Sequence, residues 1–146
     1  MYQFIIYGVP VTKKNTRPIY INKNNKRFIG KSKKLADYEN ECYYQLLQQK
    51  QELKIDNIAF PISTRCAITY KVYLNSSRAR DCTNLVEAAQ DALVKSGIIS
   101  DDNFNILNPV MILVSIDKAI NPHIQIDLIP YEDYVLQFAN SKSLPM

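Results

Sequence analysis

At 146 residues the chain has the length for one domain with a single core and too little for two. Three glycines leave no material for a glycine-rich phosphate loop, and three unclustered cysteines (Cys42, Cys66, Cys82) fit neither a disulfide framework nor a zinc site, so a reducing cytoplasm is expected. The net charge of +4 hides a polarity: nine of the 18 Lys/Arg (Lys13, Lys14, Arg17, Lys23, Lys26, Arg27, Lys31, Lys33, Lys34) lie between Val11 and Lys34 with no acid among them, leaving nine cations against 14 acids elsewhere.

In chain order, Tyr2–Tyr7 is a β-branched and aromatic run that Gly8 and Pro10 end, and it reads as a strand, not a signal peptide. Arg17–Asn22 and Arg27–Ile29 flank Lys23-Asn24-Asn25-Lys26, a hairpin pattern with a basic tip. After Gly30 and Ser32, the spacing of Leu35, Tyr38, Cys42, Leu46 and Leu47 predicts a long helix to about Leu53. Cys66–Leu74 alternates as a strand, with Cys66, Ile68, Tyr70, Val72 and Leu74 on one face. Thr83 is the expected N-cap of a helix from about Asn84 to Ser96, closed by Gly97, with Leu85, Ala88, Ala89, Ala92 and Leu93 as its buried stripe. Pro109–Asp117 and Ile124–Ile129 read as further strands about an Asn121-Pro122 turn, and a frayed tail is expected from about Asn140. No apolar run is long enough to cross a bilayer, so no membrane partner is expected. The order predicts an α+β fold over residues 1–146, a mixed sheet packed by two main helices.

The chemistry-bearing residues gather around the second helix. At about 100° per residue, Asn84, Glu87 and Asp91 share the face opposite the apolar stripe. Asp81 precedes the helix, and Ile98-Ile99 can run back along the sheet to deliver Asp101 and Asp102. Carboxylates holding one or two Mg²⁺ ions can activate a water and neutralise a phosphodiester's developing charge. The same acids also admit an ordinary reading: Asp81 complementing the helix N-terminus, Asp91 paired with Lys95, Glu87 in solvent, and Asp101-Asp102 in a surface turn. His123 in a turn is expected to be plain surface, and Cys82, with no histidine partner nearby, a small buried residue.

Arg80-Asp81-Cys82-Thr83-Asn84-Leu85, Asp91-Ala92-Leu93 and Gly97-Ile98-Ile99-Ser100-Asp101-Asp102 resemble the RusA family of Holliday-junction resolvases of bacteria and their prophages. Gly8-Val9-Pro10-Val11-Thr12-Lys13-Lys14-Asn15 resembles the family's opening strand and basic loop, and Lys31-Ser32 with Tyr38 the entry to its first helix. The resemblance spans roughly residues 4 to 130. It implies a RusA-like homodimer in a bacterial or phage-infected cell that nicks four-way DNA junctions with Mg²⁺, for which Mn²⁺ would substitute. Asp81, Asp101 and Asp102 then match catalytic, metal-binding aspartates, and Asn84 and Asp91 also match. The resemblance departs at two positions, where Thr83 replaces an aspartate and Glu87 a lysine.

Two expectations follow from the departures. In one, Glu87 joins Asp81, Asp91, Asp101 and Asp102 as a metal ligand, while Arg80, Lys71 or the basic N-terminal cluster takes the phosphate. In the other, the chain binds branched DNA without cutting it. Lys13, Lys14, Arg17, Lys31, Lys33 and Lys34, with Asn84, are the expected DNA contacts. A protein-interaction module without preference for branched DNA is a third reading.

Overall fold

The computed structural model describes residues 1–12, 19–54 and 57–141. Alternating apolar residues build a four-stranded sheet from β1 (Tyr2–Tyr7), β4 (Cys66–Leu74), β5 (Leu107–Ile116) and β6 (His123–Pro130), in the order β1-β6-β4-β5. β6 runs antiparallel to both β1 and β4, and β5 runs parallel to β4. A parallel pair needs a crossover, and α2 (Cys82–Lys95) supplies it. The hairpin β2 (Ile19–Ile21) and β3 (Arg27–Ile29) forms a separate two-stranded sheet whose tip is tied by Asn22 Oδ1, which accepts from the N–H groups of Asn24 and Lys26 at 2.9 Å each.

One face of the main sheet carries Phe4 and Ile6, Ile68, Tyr70 and Val72, and Ile124, Ile126 and Leu128, all buried. Against it lie Tyr38, Cys42 and Leu46 of α1 (Lys33–Lys54) and Leu85, Val86, Ala88, Ala89, Ala92 and Leu93 of α2. The stripe expected for α2 is therefore the buried one, widened by Val86. α2 closes through Gly97 at φ +73°, a conformation that disfavours any side chain with a Cβ, and Lys50 Nζ of α1 donates to Ser96 O at 2.9 Å at the carbonyl end of the helix dipole.

Residues alternating to the opposite face are more polar. Asp127 is 5% exposed and accepts from Gln3 and Gln125, and its carboxylate lies 3.3 Å from the Lys71 ammonium. Tyr73 stacks on His123 at 4.5 Å between ring centroids. α3 (Tyr131–Ser141) packs against β4 and β6.

The two edges of the sheet differ. Along β1, Gln49 accepts from Ile5 N–H at 2.8 Å and donates to Ile5 O at 2.7 Å; Gln45, one helical turn earlier, does the same for Tyr7 at 2.8 and 3.0 Å. Two side-chain amides thus take the place of a neighbouring strand. β5, on the far side, pairs only with β4 among the described residues.

The α+β class and the mixed sheet agree with the sequence, with three corrections. The N-cap of α2 is Asp81, two residues before Thr83, and Thr83 lies in the first helical turn. A third helix, α3, follows β6 directly and includes Asn140 and Ser141, where a tail was expected to begin; residues 142–146 lie outside the described residues. Ile98-Ile99 leaves the main sheet alone and instead meets Ile62, whose N–H donates to Ile98 O at 2.8 Å and whose carbonyl accepts from Ser100 N–H at 3.0 Å.

Candidate active site

Asp81 occupies the N-cap in an extended conformation (φ −66°, ψ 127°), and its carbonyl accepts from Asn84 and Leu85 N–H. Its carboxylate makes no capping bond; Oδ2 instead accepts from Asn84 Nδ2 at 3.2 Å. The cap geometry therefore leaves the acid at the mouth of α2, exposed and beside Asn84. Three residues beyond Asn84, Glu87 is half-buried in a groove of about 450 Å³ between α2 and β5, lined also by Thr83, Asn84, Gln90, Val110 and Ile112. Asn84, Glu87 and Asp91 share the expected face of the helix.

Further along α2, Gln90 connects the sheet to the loop after the helix. The Tyr70 hydroxyl, rising from the centre of β4, donates to Gln90 Oε1 at 2.8 Å, and Gln90 Nε2 donates to Asp102 Oδ2 at 3.3 Å. The tyrosine fixes the amide's orientation: with Oε1 taken, only the NH₂ group can face the carboxylate. Burial holds the Tyr70 hydroxyl well above its ordinary pKa, and the negative charges of Asp102 and then Asp91 push it further up. Asp91 from the helix and Asp102 from the following loop thus share the surroundings of one buried hydroxyl, which stays protonated and a donor.

Asp101 is placed differently. Its Oδ1 accepts from Asp102 N–H at 2.7 Å and its Oδ2 from Asn103 Nδ2 at 2.9 Å, so both oxygens stabilise the turn that presents Asp102. Among the described residues, no three His, Cys, Asp or Glu side chains stand together as a group able to hold one metal ion. The five acids expected around one centre are instead distributed: Asp81 with Asn84, Glu87 in the α2–β5 groove, Asp91 and Asp102 near Tyr70, and Asp101 in the turn.

The expected basic residues also separate. Lys31 lies 2.6 Å from Glu39, which neutralises it, whereas Lys33 and Lys34 are exposed in the first turn of α1. Lys13, Lys14 and Arg17 lie outside the described residues. Lys71 projects to the sheet face away from α2, beside Asp127, so β4's alternation removes it as a substitute for the missing lysine. Arg80 remains next to the site, with Nη1 donating to Pro10 O at 3.1 Å. Cys82 is exposed as the first residue of α2, contrary to expectation, because the helix starts earlier than predicted. His123 is half-buried in β6 and stacked on Tyr73, so it is structural rather than plain surface.

Sequence reasoning overlooked Gln90 and Tyr70. The available signals were a polar residue flanking the apolar stripe of α2 and a lone hydroxyl on an otherwise aliphatic strand face; a buried tyrosine hydroxyl needs a partner.

A comparison with curated proteins found no match. The family model described as Endodeoxyribonuclease RusA matches residues 8–128, a span that runs from the end of β1 through most of β6 and contains Asp81, Gln90, Asp91 and Asp102. With most of its length matched, including every element that builds this site, the chain belongs to the RusA family of endodeoxyribonucleases.

Proposed function

We propose that this chain is a Mg²⁺-dependent endodeoxyribonuclease that resolves four-way DNA junctions as a homodimer, its two-fold symmetry suited to paired cuts. The family is one of junction-resolving endodeoxyribonucleases, and the observation that carries the reading in this chain is the relay from the buried Tyr70 hydroxyl through Gln90 that orients Asp102 beside α2. The donor chemistry fits the metal: the candidate ligands are hard oxygens, and Mg²⁺ is held by one or two carboxylates while keeping several waters, so a ready-made group of three is not required. When bound, the ion would supply an activated water and charge neutralisation at the phosphoryl group.

Asp102 and Asp91 are the proposed inner ligands, with Asp81 and Glu87 approaching from the start of α2. Asp101 supports the set by holding the turn, and Gln90 orients Asp102. Lys33 and Lys34, the basic segment of Lys13, Lys14 and Arg17, and Asn84 are the proposed DNA contacts; Lys31, paired with Glu39, is the weakest of the original group. No helix among the described residues is long and apolar enough to cross a membrane, and a bacterial or phage-infected cytoplasm is the proposed location.

The test is nicking of a synthetic four-way junction with Mg²⁺ or Mn²⁺. Wild type should cut, Asp102→Asn should lose cutting by at least about a hundredfold, and Glu87→Gln should weaken it if Glu87 replaces the missing aspartate. A wild type that cuts no branched substrate, or an Asp102→Asn protein that cuts equally well, refutes the catalytic assignment. The distribution of the acids and the Thr83 and Glu87 departures favour one alternative, a junction binder without cleavage. It predicts salt-sensitive junction binding in EDTA and no nicking with any divalent ion.

A further inference from the structure

We infer that Lys34, Arg78 and Arg80 form a built site for a single phosphate group, immediately ahead of Asp81. The three cations come from two segments: Lys34 from the first turn of α1, and Arg78 and Arg80 from the loop that leads to the N-cap of α2. With Pro10, Val11 and Thr12 after β1, they line one cleft of about 240 Å³. No carboxylate lines it among the described residues, and none of the three cations takes part in an ion pair there.

Scattered surface cations are ordinary, because each is separately solvated and mobile. These differ in lining one concavity, where a cationic wall concentrates anions. Arg80 uses one of its donors on Pro10 O, which restrains it against the cleft wall. Its other donors, the Arg78 fork and the Lys34 ammonium suit the oxygens of a phosphate, which guanidinium groups can bind in a bidentate manner. Resting on the nuclease reading, the occupant is a backbone phosphodiester next to the one being cut. The cleft would then supply the positive charge that is missing where Glu87 stands in place of a lysine. A free phosphate or mononucleotide presents the same chemistry from another source.

The test compares Lys34→Ala and Arg78→Ala, both of exposed side chains, with Lys118→Ala, an exposed lysine in the β5–β6 turn that removes the same charge elsewhere. Binding of a labelled four-way junction is measured in EDTA across a salt series. Each cleft variant should bind roughly tenfold more weakly at 0.1 M salt, and its log–log salt slope should fall by about one, while Lys118→Ala matches wild type. If the cleft variants track Lys118→Ala, the inference is overturned and the nuclease reading stands. If wild type binds no junction, the nuclease reading fails, and inorganic phosphate decides the cleft. Saturable shifts of the Arg78 and Arg80 Nε–H signals, lost in Lys34→Ala, would support a free-phosphate site, and unmoved signals would overturn it.

Discussion

Replacing Tyr70 by Phe removes one oxygen from a fully buried ring and leaves the packing of β4 intact. At neutral pH the loss is the 2.8 Å bond to Gln90, and because Gln90 is only half-buried, its freed oxygen can reach water. The net cost should be about 1 kcal/mol. In alkali the sign reverses. The unfolded chain ionises this tyrosine near pH 10, whereas burial and the neighbouring Asp102 and Asp91 keep it neutral in the folded protein well above that. A group raised in the folded state contributes stability below its unfolded pKa, and that contribution is lost as pH rises beyond it. One pH unit higher, near pH 11, wild type has lost about 1.4 kcal/mol on this account that the Phe variant has not. Urea denaturation followed by circular dichroism at pH 7.5 and pH 11 should therefore show the two proteins exchanging order, with wild type the more stable at neutral pH and the variant the more stable in alkali. Equal midpoints at pH 7.5, or a gap that fails to close at pH 11, would refute the account of Tyr70 as a buried, protonated donor.

Other outcomes follow from single features. Gly97→Ala places a Cβ at φ +73° and 2.9 Å from Lys50 Nζ, and should cost about 1–2 kcal/mol, read from the urea midpoint. Gln45→Ala and Gln49→Ala each strip a pair of backbone bonds from β1; each should cost about 1 kcal/mol, and the double variant should scatter light at concentrations where wild type does not.

Most of the sheet was legible because its signal is local. The run Tyr2–Tyr7 coincides with β1, and β4 keeps Cys66, Ile68, Tyr70, Val72 and Leu74 buried as expected, although Ala67 and Thr69 on its other face are buried too. α3 was missed although Tyr131 and Tyr134 lie three residues apart and are half-buried, and a further marker was Pro130 followed shortly by Glu132 and Asp133 in the first turn. The start of α2 moved from Thr83 to Asp81 because both residue types can cap, and only the chain's path selects between them. In the site, spacing put Asn84, Glu87 and Asp91 on one face of α2. It could not reveal that Gln90 joins Tyr70 to Asp102, since that depends on the distance between α2 and β4, nor that Glu39 would claim Lys31.

The sealing of β1 has a consequence for assembly. The glutamine pair occupies the outer backbone groups of Ile5 and Tyr7, while β5, paired only with β4 among the described residues, carries Val110, Met111, Leu113, Val114 and Ile116, each 38–56% exposed. Addition of a strand is therefore disfavoured at β1 relative to β5. Two copies joined through β5 would present the glutamine-covered strands at both outer ends, which favours a pair over a lengthening fibre.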